Sequence, residues 1–212
     1  MKKNLVVSGF LLLILLVVLG ANTVSAEARF LAKRVGADFN GELTLSGWGQ
    51  KTAAYEFKLP GKLNLCLYAG FNEQFLYLGF YVRDPFLTYA DDISLNFQGS
   101  DHLRLYFFQN GSQTTKEPIT LYLLPSSKIK EPLLNITGAS WRQQSVTVRS
   151  FPGQDDYFMT VTIDLSNLAL SSWRRDLPLQ IMLNEVNSTG KTKNHWLFGD
   201  GPMDYGTLVL SR

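Results

Sequence analysis

The sequence predicts an antiparallel β-sandwich of the jelly-roll kind, on two observations. About ten short runs of aromatic and branched residues recur at roughly 8–12-residue spacing, and Gly, Pro, Asn and Asp separate them. A helical period is almost absent over the same length. No internal repeat or linker divides the chain, so we expect one all-β domain after the N-terminal segment.

The clearest strands lie at 75–83 and 91–97. The first reads Phe-Leu-Tyr-Leu-Gly-Phe-Tyr-Val-Arg and ends before Pro85, because proline cannot donate to a central ladder. In the second, Ile93, Leu95 and Phe97 share one face. Shorter runs of the same kind predict the remaining strands, at 29–35, 53–59, 63–68, 103–108, 119–124, 145–149, 157–163, 178–186 and 207–210.

The connections carry further local signals. Asp164 or Ser166 is expected to cap a short helical turn at 164–168. Residues 126–139 are polar and contain Pro132, so they are predicted as loop. Large aromatic side chains of a sandwich are mostly core, and this is the expectation for Trp48 and Trp141.

The N-terminal segment has the pattern of a secretory signal peptide. Lys2 and Lys3 precede a nearly continuous apolar run at 5–19, and a small-x-small site ends at Ala26. We expect cleavage there, which leaves residues 27–212 as the mature domain, secreted or periplasmic. The alternative is an uncleaved membrane anchor, because the apolar run approaches the roughly 20 residues that span a bilayer.

Charge and cysteine content narrow the function classes. The formal charge is +2, and Lys2 and Lys3 account for it, so the mature domain is neutral. Nucleic-acid-binding proteins carry basic patches, so a nucleic-acid partner is not expected. Cys66 is the one cysteine, which excludes an internal disulfide. Its place between Leu65 and Leu67 in a strand predicts a buried thiol.

Three features resemble catalytic motifs only superficially. Residues 187–192 imitate the end of a phosphate-binding loop, but Glu185 stands where that loop needs glycine, so a hairpin turn is expected. His102 and His195 are the two histidines, and no Gly-x-Ser-x-Gly elbow accompanies them. We expect His102 to form a surface pair with Asp101, and His195 to lie in a loop.

Acidic residues cluster around the central strands, namely Asp84, Asp91, Asp92 and Asp101. Turn-forming hydrogen bonds are one interpretation. A structural calcium site on Asp84, Asp91 and Asp92 is a second, because hard cations take carboxylate and carbonyl oxygens. Glycosidic acid–base chemistry is a third, and it requires two carboxyls about 5–9 Å apart across a cleft. No other cofactor is expected.

Aromatic residues in the loops suggest a ligand site. Trp196 and Phe198 lie in a Gly- and Pro-rich connection where solvent exposure is expected, with Asn194 and Asp200 beside them. Sugar rings stack on flat aromatic surfaces while their hydroxyls bind polar groups. Tyr89, between the central strands, is a candidate opposing ring.

These stretches, in this order, resemble the family 9 carbohydrate-binding modules and the wider DOMON-like sandwich superfamily. Residues 75–85 are similar to the family's strand that ends in Val-x-Asp-Pro. The resemblance covers nearly all of the mature chain and is carried also by residues 38–48, 91–95, 157–163 and 202–210.

The resemblance implies a sugar site formed by two tryptophans, one before the 91–95 strand and one in the loop before the last strand. This chain has Thr88-Tyr89 at the first place and Trp196 with Phe198 at the second. Ser94 stands where the family has a sugar-binding Glu, and Thr160 where an acid is usual. The fold pattern is therefore retained better than the site pattern.

The combined prediction is a non-catalytic carbohydrate-binding domain with Tyr89, Trp196 and Phe198 as stacking rings and Asn194 and Asp200 as hydroxyl partners. The first alternative is a structural or protein-binding domain of the cell envelope. The second is a b-type haem domain, since some DOMON-like domains bind haem through Met and a second ligand. Its candidate ligands by residue type are Met159, Met182, Met203, His102 and His195.

Overall fold

The computed structural model describes residues 28–41, 44–89, 99–108, 118–125, 133–138, 145–168 and 176–210. The predicted signal peptide, the strand at 91–97, the candidate calcium ligands Asp91 and Asp92, and Trp141 lie outside these ranges. None of the described helices has the length and apolar character needed to cross a membrane.

The described chain is built mainly of β-strands. They are β1 (Arg29–Arg34), β2 (Ala53–Lys58), β3 (Asn64–Phe71), β4 (Phe75–Arg83), β5 (His102–Phe107), β6 (Ile119–Leu124), β7 (Leu133–Thr137), β8 (Val146–Pro152), β9 (Asp156–Asp164), β10 (Asp176–Val186), β11 (Thr192–Trp196) and β12 (Gly206–Leu210). One α-helix, α1 (Leu45–Lys51), and one 3₁₀-helix (Leu165–Leu168) accompany them.

The strands form two layers that β1 joins. Layer A has the order β7-β6-β5-β10-β12-β1, with β11 paired to β10. Layer B has the order β1-β3-β4-β9-β8, with β2 paired to β3. The first four residues of β1 run parallel to β12 and its last two run parallel to β3, whereas the other described pairs are antiparallel. The predicted sandwich class is confirmed, and β1 is its parallel exception.

Period-two alternation produces the core. In β4, Leu76, Leu78 and Phe80 are fully buried between the layers. In β5, Leu103 and Leu105 meet them from layer A. Burying large aliphatic and aromatic side chains contributes about 1.5–3 kcal/mol each, so this shared interior fixes which face of every strand points inward.

The outer face of layer B is covered by α1. Trp48 of the helix is 0% exposed and packs edge-on against Phe39 and Phe158, with ring centroids 5.1 and 5.8 Å away. The expectation of a core position for Trp48 is confirmed. The helix itself was not predicted, because Leu45–Lys51 spans only two turns and contains two glycines, which are weak helix formers.

Two further expectations are wrong. The stretch predicted as loop at 126–139 contains β7, whose Thr137 pairs with Thr120 at the edge of layer A. Cys66 is half-buried on the outer face of layer B, because its neighbours Leu65 and Leu67 take the core side of β3. By contrast, the predicted cap is confirmed: the Ser166 N–H donates to Asp164 Oδ1 at 2.9 Å.

Gly79 lets Trp48 lie against the sheet. A Cβ at Gly79 would stand 2.9 Å from Cε3 of Trp48 and 3.1 Å from Phe158. We expect Gly79→Ala to lower the free energy of unfolding by about 1–3 kcal/mol, because the indole must move off its packed position. Urea denaturation followed by Trp fluorescence measures the change.

Gly99→Ala is the matched control, since a Cβ there meets no atom within 4 Å and its backbone is not left-handed. It should change stability by less than about 0.5 kcal/mol. Equal stabilities for the two variants would contradict the described packing of Trp48.

Candidate functional site

The outer face of layer A carries a row of aromatic and polar side chains. Cross-strand pairing places Tyr122 opposite Arg104, Arg104 opposite Met182, and Met182 opposite Trp196. These residues alternate with Leu103, Leu105, Ile181 and Leu183, which face the core. Because successive side chains of a strand point to opposite faces, the row faces away from the sandwich interior.

Trp196 forms the aromatic centre of this face. Its ring centroid lies 5.7 Å from that of Tyr106 with a tilt of 42°, and both rings pack on the buried Met182. Trp196 is only half-buried. Phe108 and Tyr205 extend the cluster, with their rings 5.0 Å apart. The result is an aromatic surface held from below by the sheet.

Arg104 supplies the positive charge next to these rings. Its guanidinium carbon lies 5.1 Å from the centre of the Tyr122 ring, a cation–π distance. Its Nε donates to Nε2 of His102 at 3.0 Å. Both contacts orient the guanidinium, so its remaining N–H groups have a defined direction.

His102 is a buried residue that accepts a hydrogen bond from Arg104 and so holds its side chain in place. It is 0% exposed, and its Nδ1 lies 2.9 Å from the carbonyl oxygen of Ser100. With Nε2 accepting from Arg104, the ring is neutral with its proton on Nδ1. Burial lowers the pKa of His102 to about 4, and the Arg104 charge acts in the same direction. The expected surface pair with Asp101 is wrong, because both residues are buried.

Amide side chains flank the row. Asn184 and Asn194 are cross-strand partners on this face; Asn184 is buried and donates to the Ser100 carbonyl oxygen at 2.9 Å, whereas Asn194 is exposed. Gln180 is fully buried in the gap between β11 and β12. Its amide nitrogen donates to the carbonyl oxygens of Phe198 and Gly201, and its oxygen accepts from the N–H of Phe198. Gln180 therefore holds the loop that follows Trp196.

The structure brings some of the predicted site residues together and separates others. Trp196 and Asn194 share the outer face of layer A, as their i, i+2 spacing in β11 requires. Asp200 is exposed in the following turn, where its N–H donates to Asp204. Tyr89 lies at the end of the sandwich, and its hydroxyl donates to the carbonyl oxygen of Gly153 at 3.1 Å.

Phe198 is not solvent-exposed, so that expectation is wrong. Its side chain is 6% exposed and packs in the core against Phe30 and Phe57, with centroids 4.8 and 6.1 Å away. Trp196 ends β11 facing outward, and the turn after it sends Phe198 inward, where Gln180 holds its backbone. The Gly- and Pro-rich composition of the loop gave no indication of this direction.

Sequence reasoning missed the residues contributed by β5 and β6. Arg104 and Tyr106 alternate with Leu103 and Leu105, so their outward direction was readable from the strand pattern. Their proximity to Trp196, about ninety residues later in the chain, follows only from the pairing of β10 with both β5 and β11.

Two buried carboxylates lie near the end loops. Asp101 accepts from the N–H groups of Val186 and Thr88, each at 2.6 Å, and Asp84 accepts from that of Phe86 at 2.8 Å. Burial raises the pKa of Asp101 to about 7 although those two N–H groups oppose the rise, and burial also raises the pKa of Asp84. The Asp84 contact, two residues along the chain, is of the turn-forming kind that the sequence offered as one interpretation. The Asp101 contacts instead join segments that are far apart in the chain.

Within the described ranges, no three His, Cys, Asp or Glu side chains lie close enough together to hold a metal ion. Asp84 is the one described member of the predicted calcium set. The calcium site stays a prediction, since Asp91 and Asp92 lie outside those ranges.

The candidate haem ligands are scattered. Met159 is in the core between the layers, Met182 lies under Trp196, and Met203 is exposed. His195 is buried in β11, so its expected loop position is wrong, and its Nε2 lies 2.7 Å from Glu185 Oε2. His102 has both ring nitrogens engaged by Ser100 and Arg104.

Comparisons with known proteins identify the fold. A scan against protein-family models finds no match, and no curated protein matches the sequence. A family 9 carbohydrate-binding module from Caldicellulosiruptor kristjanssonii matches in two structures. The one with cellotriose gives a TM-score of 0.64 at 13% identity, over 86% of this chain and 93% of that chain. The one with glucose gives 0.62 at 13% identity, over 86% and 95%.

A third structure, of a Bacteroides uniformis protein described as a candidate carbohydrate-binding protein, gives a TM-score of 0.61 at 12% identity. The match covers 88% of this chain and 100% of that chain. Similarity at this level of identity establishes the fold. The chain has the β-sandwich fold of family 9 carbohydrate-binding modules, so the fold part of the predicted resemblance is confirmed.

The neutrality of His102 has a measurable consequence. Its pKa is about 4 in the folded protein against 6.5 ordinarily, so the unfolded chain takes up the proton first as the pH falls. We therefore expect His102 to reduce the free energy of unfolding by up to about 3 kcal/mol as the pH falls from about 6.5 to 4. The measurement is urea denaturation of the wild type and His102→Gln across this range.

The wild type should lose more stability than His102→Gln over that interval. NMR of the imidazole should show a neutral ring with its proton on Nδ1 at pH 6. An ordinary titration midpoint near 6.5 would contradict the described environment of His102.

Proposed function

We propose that this protein is a non-catalytic carbohydrate-binding domain that binds sugar on the outer face of layer A, around Trp196. The observation that carries the proposal is the half-buried indole of Trp196 packed against Tyr106, beside the oriented guanidinium of Arg104. Asn194 adds an exposed amide on the same face.

The chemistry of these groups fits a sugar ring. One face of a pyranose is a patch of C–H groups that packs on an aromatic surface. Its hydroxyls both donate and accept hydrogen bonds, so they match the N–H groups of Arg104 and the amide of Asn194. Since Met182 and Tyr106 fix the indole before a ligand arrives, little side-chain entropy is lost on binding.

The structural relatives support the ligand class. The Caldicellulosiruptor module with this fold was solved with glucose and with cellotriose. Neutral β-linked glucose oligomers are therefore the first ligands to test. The near absence of net charge on residues 27–212 agrees with a neutral ligand.

The other predicted site residues, Phe198, Asp200 and Tyr89, are each assigned a separate role in this proposal. Phe198 is not a stacking ring; with Gln180 it fixes the loop that follows Trp196. Asp200, exposed in that loop, is proposed as a secondary hydroxyl partner. Tyr89 is proposed as a contact only for a longer ligand, because its hydroxyl is tied to the 152–156 hairpin of layer B.

Titration of residues 27–212 with glucose, cellotriose and a panel of other glycans tests the proposal. We expect at least one neutral glycan to bind, and Trp196→Ala to weaken it by about tenfold or more, since a buried tryptophan contact contributes on the order of 2 kcal/mol. Isothermal calorimetry measures the dissociation constants.

Phe151→Ala is the matched control, because Phe151 is a 45% exposed ring that packs on Phe158 in layer B. It should leave the affinity unchanged. Equal affinity of Trp196→Ala and wild type would remove Trp196 from the site. Failure of the whole panel, together with capture of a protein partner by the wild type, would favour the cell-envelope binding domain instead.

Export of the domain is a separate proposal, motivated by the basic, apolar and small-residue segments of residues 1–26. On expression of the full chain in a secreting bacterial host, we expect the extracytoplasmic product to begin at Glu27. Intact mass and N-terminal sequencing determine this. A membrane-bound product that retains Met1 would support the uncleaved anchor.

A further inference from the structure

A cavity of about 680 Å³ lies on the outer face of layer B. It is formed between that face, the segment 34–41 that continues from β1, and the turn 72–75 that leads into β4. This volume is within the range of small-molecule sites. The outer faces of layers A and B point away from each other, so the cavity is separate from the face around Trp196.

Three threonine side chains form the floor of this cavity. Cross-strand pairing places Thr162 of β9 opposite Thr147 of β8, and Thr160 lies two residues before Thr162 on the same face. All three threonines line the cavity. Val161 and Ile163 alternate with them and are buried in the core, so the threonine side chains point outward.

The hydroxyl groups of the floor are available to a ligand. Within the described ranges, no other group forms a hydrogen bond with the hydroxyls of Thr147, Thr160 or Thr162. Thr160 is only 2% exposed, and because it lines the cavity, its accessible part faces the ligand space. A threonine hydroxyl can both donate and accept, so this floor matches a ligand that itself carries hydroxyl groups.

Hydrogen bonds within the protein fix the walls. The Tyr77 hydroxyl donates to the carbonyl oxygen of Phe39 at 2.7 Å and accepts from the Asn72 amide at 3.0 Å. Asn72 Oδ1 accepts from the N–H groups of Gln74 and Phe75. The segments on both sides of the cavity are thereby tied to Tyr77, so a ligand meets a preformed space and little order is lost on binding.

The charged residues of the lining have partners within the protein. Among the described residues that line the cavity, these are Arg34, Glu73 and Arg149. Arg34 and Glu73 form an ion pair at the rim, where both side chains are exposed. Arg149 has an interaction partner of its own. A charged ligand would therefore find no uncompensated opposite charge among these residues, and the lining favours a neutral ligand.

The walls add apolar surface next to the hydroxyls. Phe75 is half-buried, Phe39 and Val35 are buried, and all three line the cavity. Gly41 has a φ of +75°, which favours glycine, and a Cβ there would lie 3.1 Å from the Thr162 hydroxyl oxygen. Glycine at this position therefore leaves that hydroxyl uncovered. A ligand would meet hydroxyls on the floor and C–H surface on the walls, as a pyranose requires.

We propose that this cavity is a second carbohydrate site, which binds a neutral hexose unit independently of the face around Trp196. The hydroxyls of Thr147, Thr160 and Thr162 bind the hydroxyls of the sugar, and Phe75 packs on its C–H face. Sites on opposite layers let one domain hold two segments of neutral glycan at the same time.

NMR chemical-shift mapping tests the proposal on residues 27–212 of the wild type and of Trp196→Ala. The probes are glucose, galactose and mannose, with glucuronic acid as the charged comparison. We expect at least one of the three hexoses to shift the signals of Thr147, Thr160 and Thr162, with the same affinity in both proteins. Glucuronic acid should bind there more weakly, because its carboxylate loses water without gaining a counter-charge.

The double variant Thr160→Val/Thr162→Val removes two hydroxyls and keeps the branched shape of both side chains. We expect it to bind the hexose at least about tenfold more weakly at this cavity, since each lost hydrogen bond leaves a sugar hydroxyl unpaired. Ser150→Ala is the matched control, because the Ser150 hydroxyl lies in β8 outside the cavity and is buried without a hydrogen-bond partner. It should leave the affinity unchanged.

The proposal is overturned if no hexose shifts the three threonines, if only glucuronic acid does, or if the double variant binds as tightly as the wild type. Loss of the layer B shifts in Trp196→Ala would contradict a separate site. The mapping on the wild type and Trp196→Ala does not depend on the stability of the double variant. Shifts at Trp196 itself report the other face, so either site can fail alone.

Discussion

The pairing of β5 with β10 is the constraint on which the candidate face depends. Their register runs from Leu179 opposite Phe107 to Asn184 opposite His102. A slip of one residue would turn Leu103 and Leu105 to solvent and bury Arg104 in the core, where an unpaired charge is very costly. The burial of the leucines therefore also fixes the outward direction of Arg104 and Tyr106. Through β11, the same strand β10 carries Trp196 to the same face.

Each layer of the sandwich has an outer face that lies outside the shared core, and different groups cover this face in the two layers. On layer B, helix α1 covers part of this face and inserts Trp48 above Gly79. On layer A, aromatic rings pack on Met182 and present Trp196 at the surface. Both arrangements follow from a strand period of two, because each strand must place alternate side chains outside the shared interior.

Buried polar side chains position the loops around these faces. Gln180 binds the backbone on both sides of the 198–201 turn, Asp101 binds the N–H groups of Thr88 and Val186, and Asn72 binds Tyr77 and the turn before β4. Buried polar groups need hydrogen-bond partners. These side chains and the backbone groups of the loops that they hold are partners of each other. His102 has a similar role within the sheet, where its neutral ring orients Arg104.

The amino-acid sequence by itself determined most of the described strands, the sandwich class and the core position of Trp48, because apolar alternation and turn residues act over a few neighbouring positions. It also predicted a capped helical turn at 164–168, with Asp164 or Ser166 as the cap, and the structure selects Asp164. Only the tertiary structure decided that Phe198 points inward, that residues 133–137 complete an edge of layer A, and that Arg104 and Tyr106 stand beside Trp196. The direction of a side chain in a loop and the neighbours of a strand depend on contacts between residues far apart in the chain, and no local pattern encodes them.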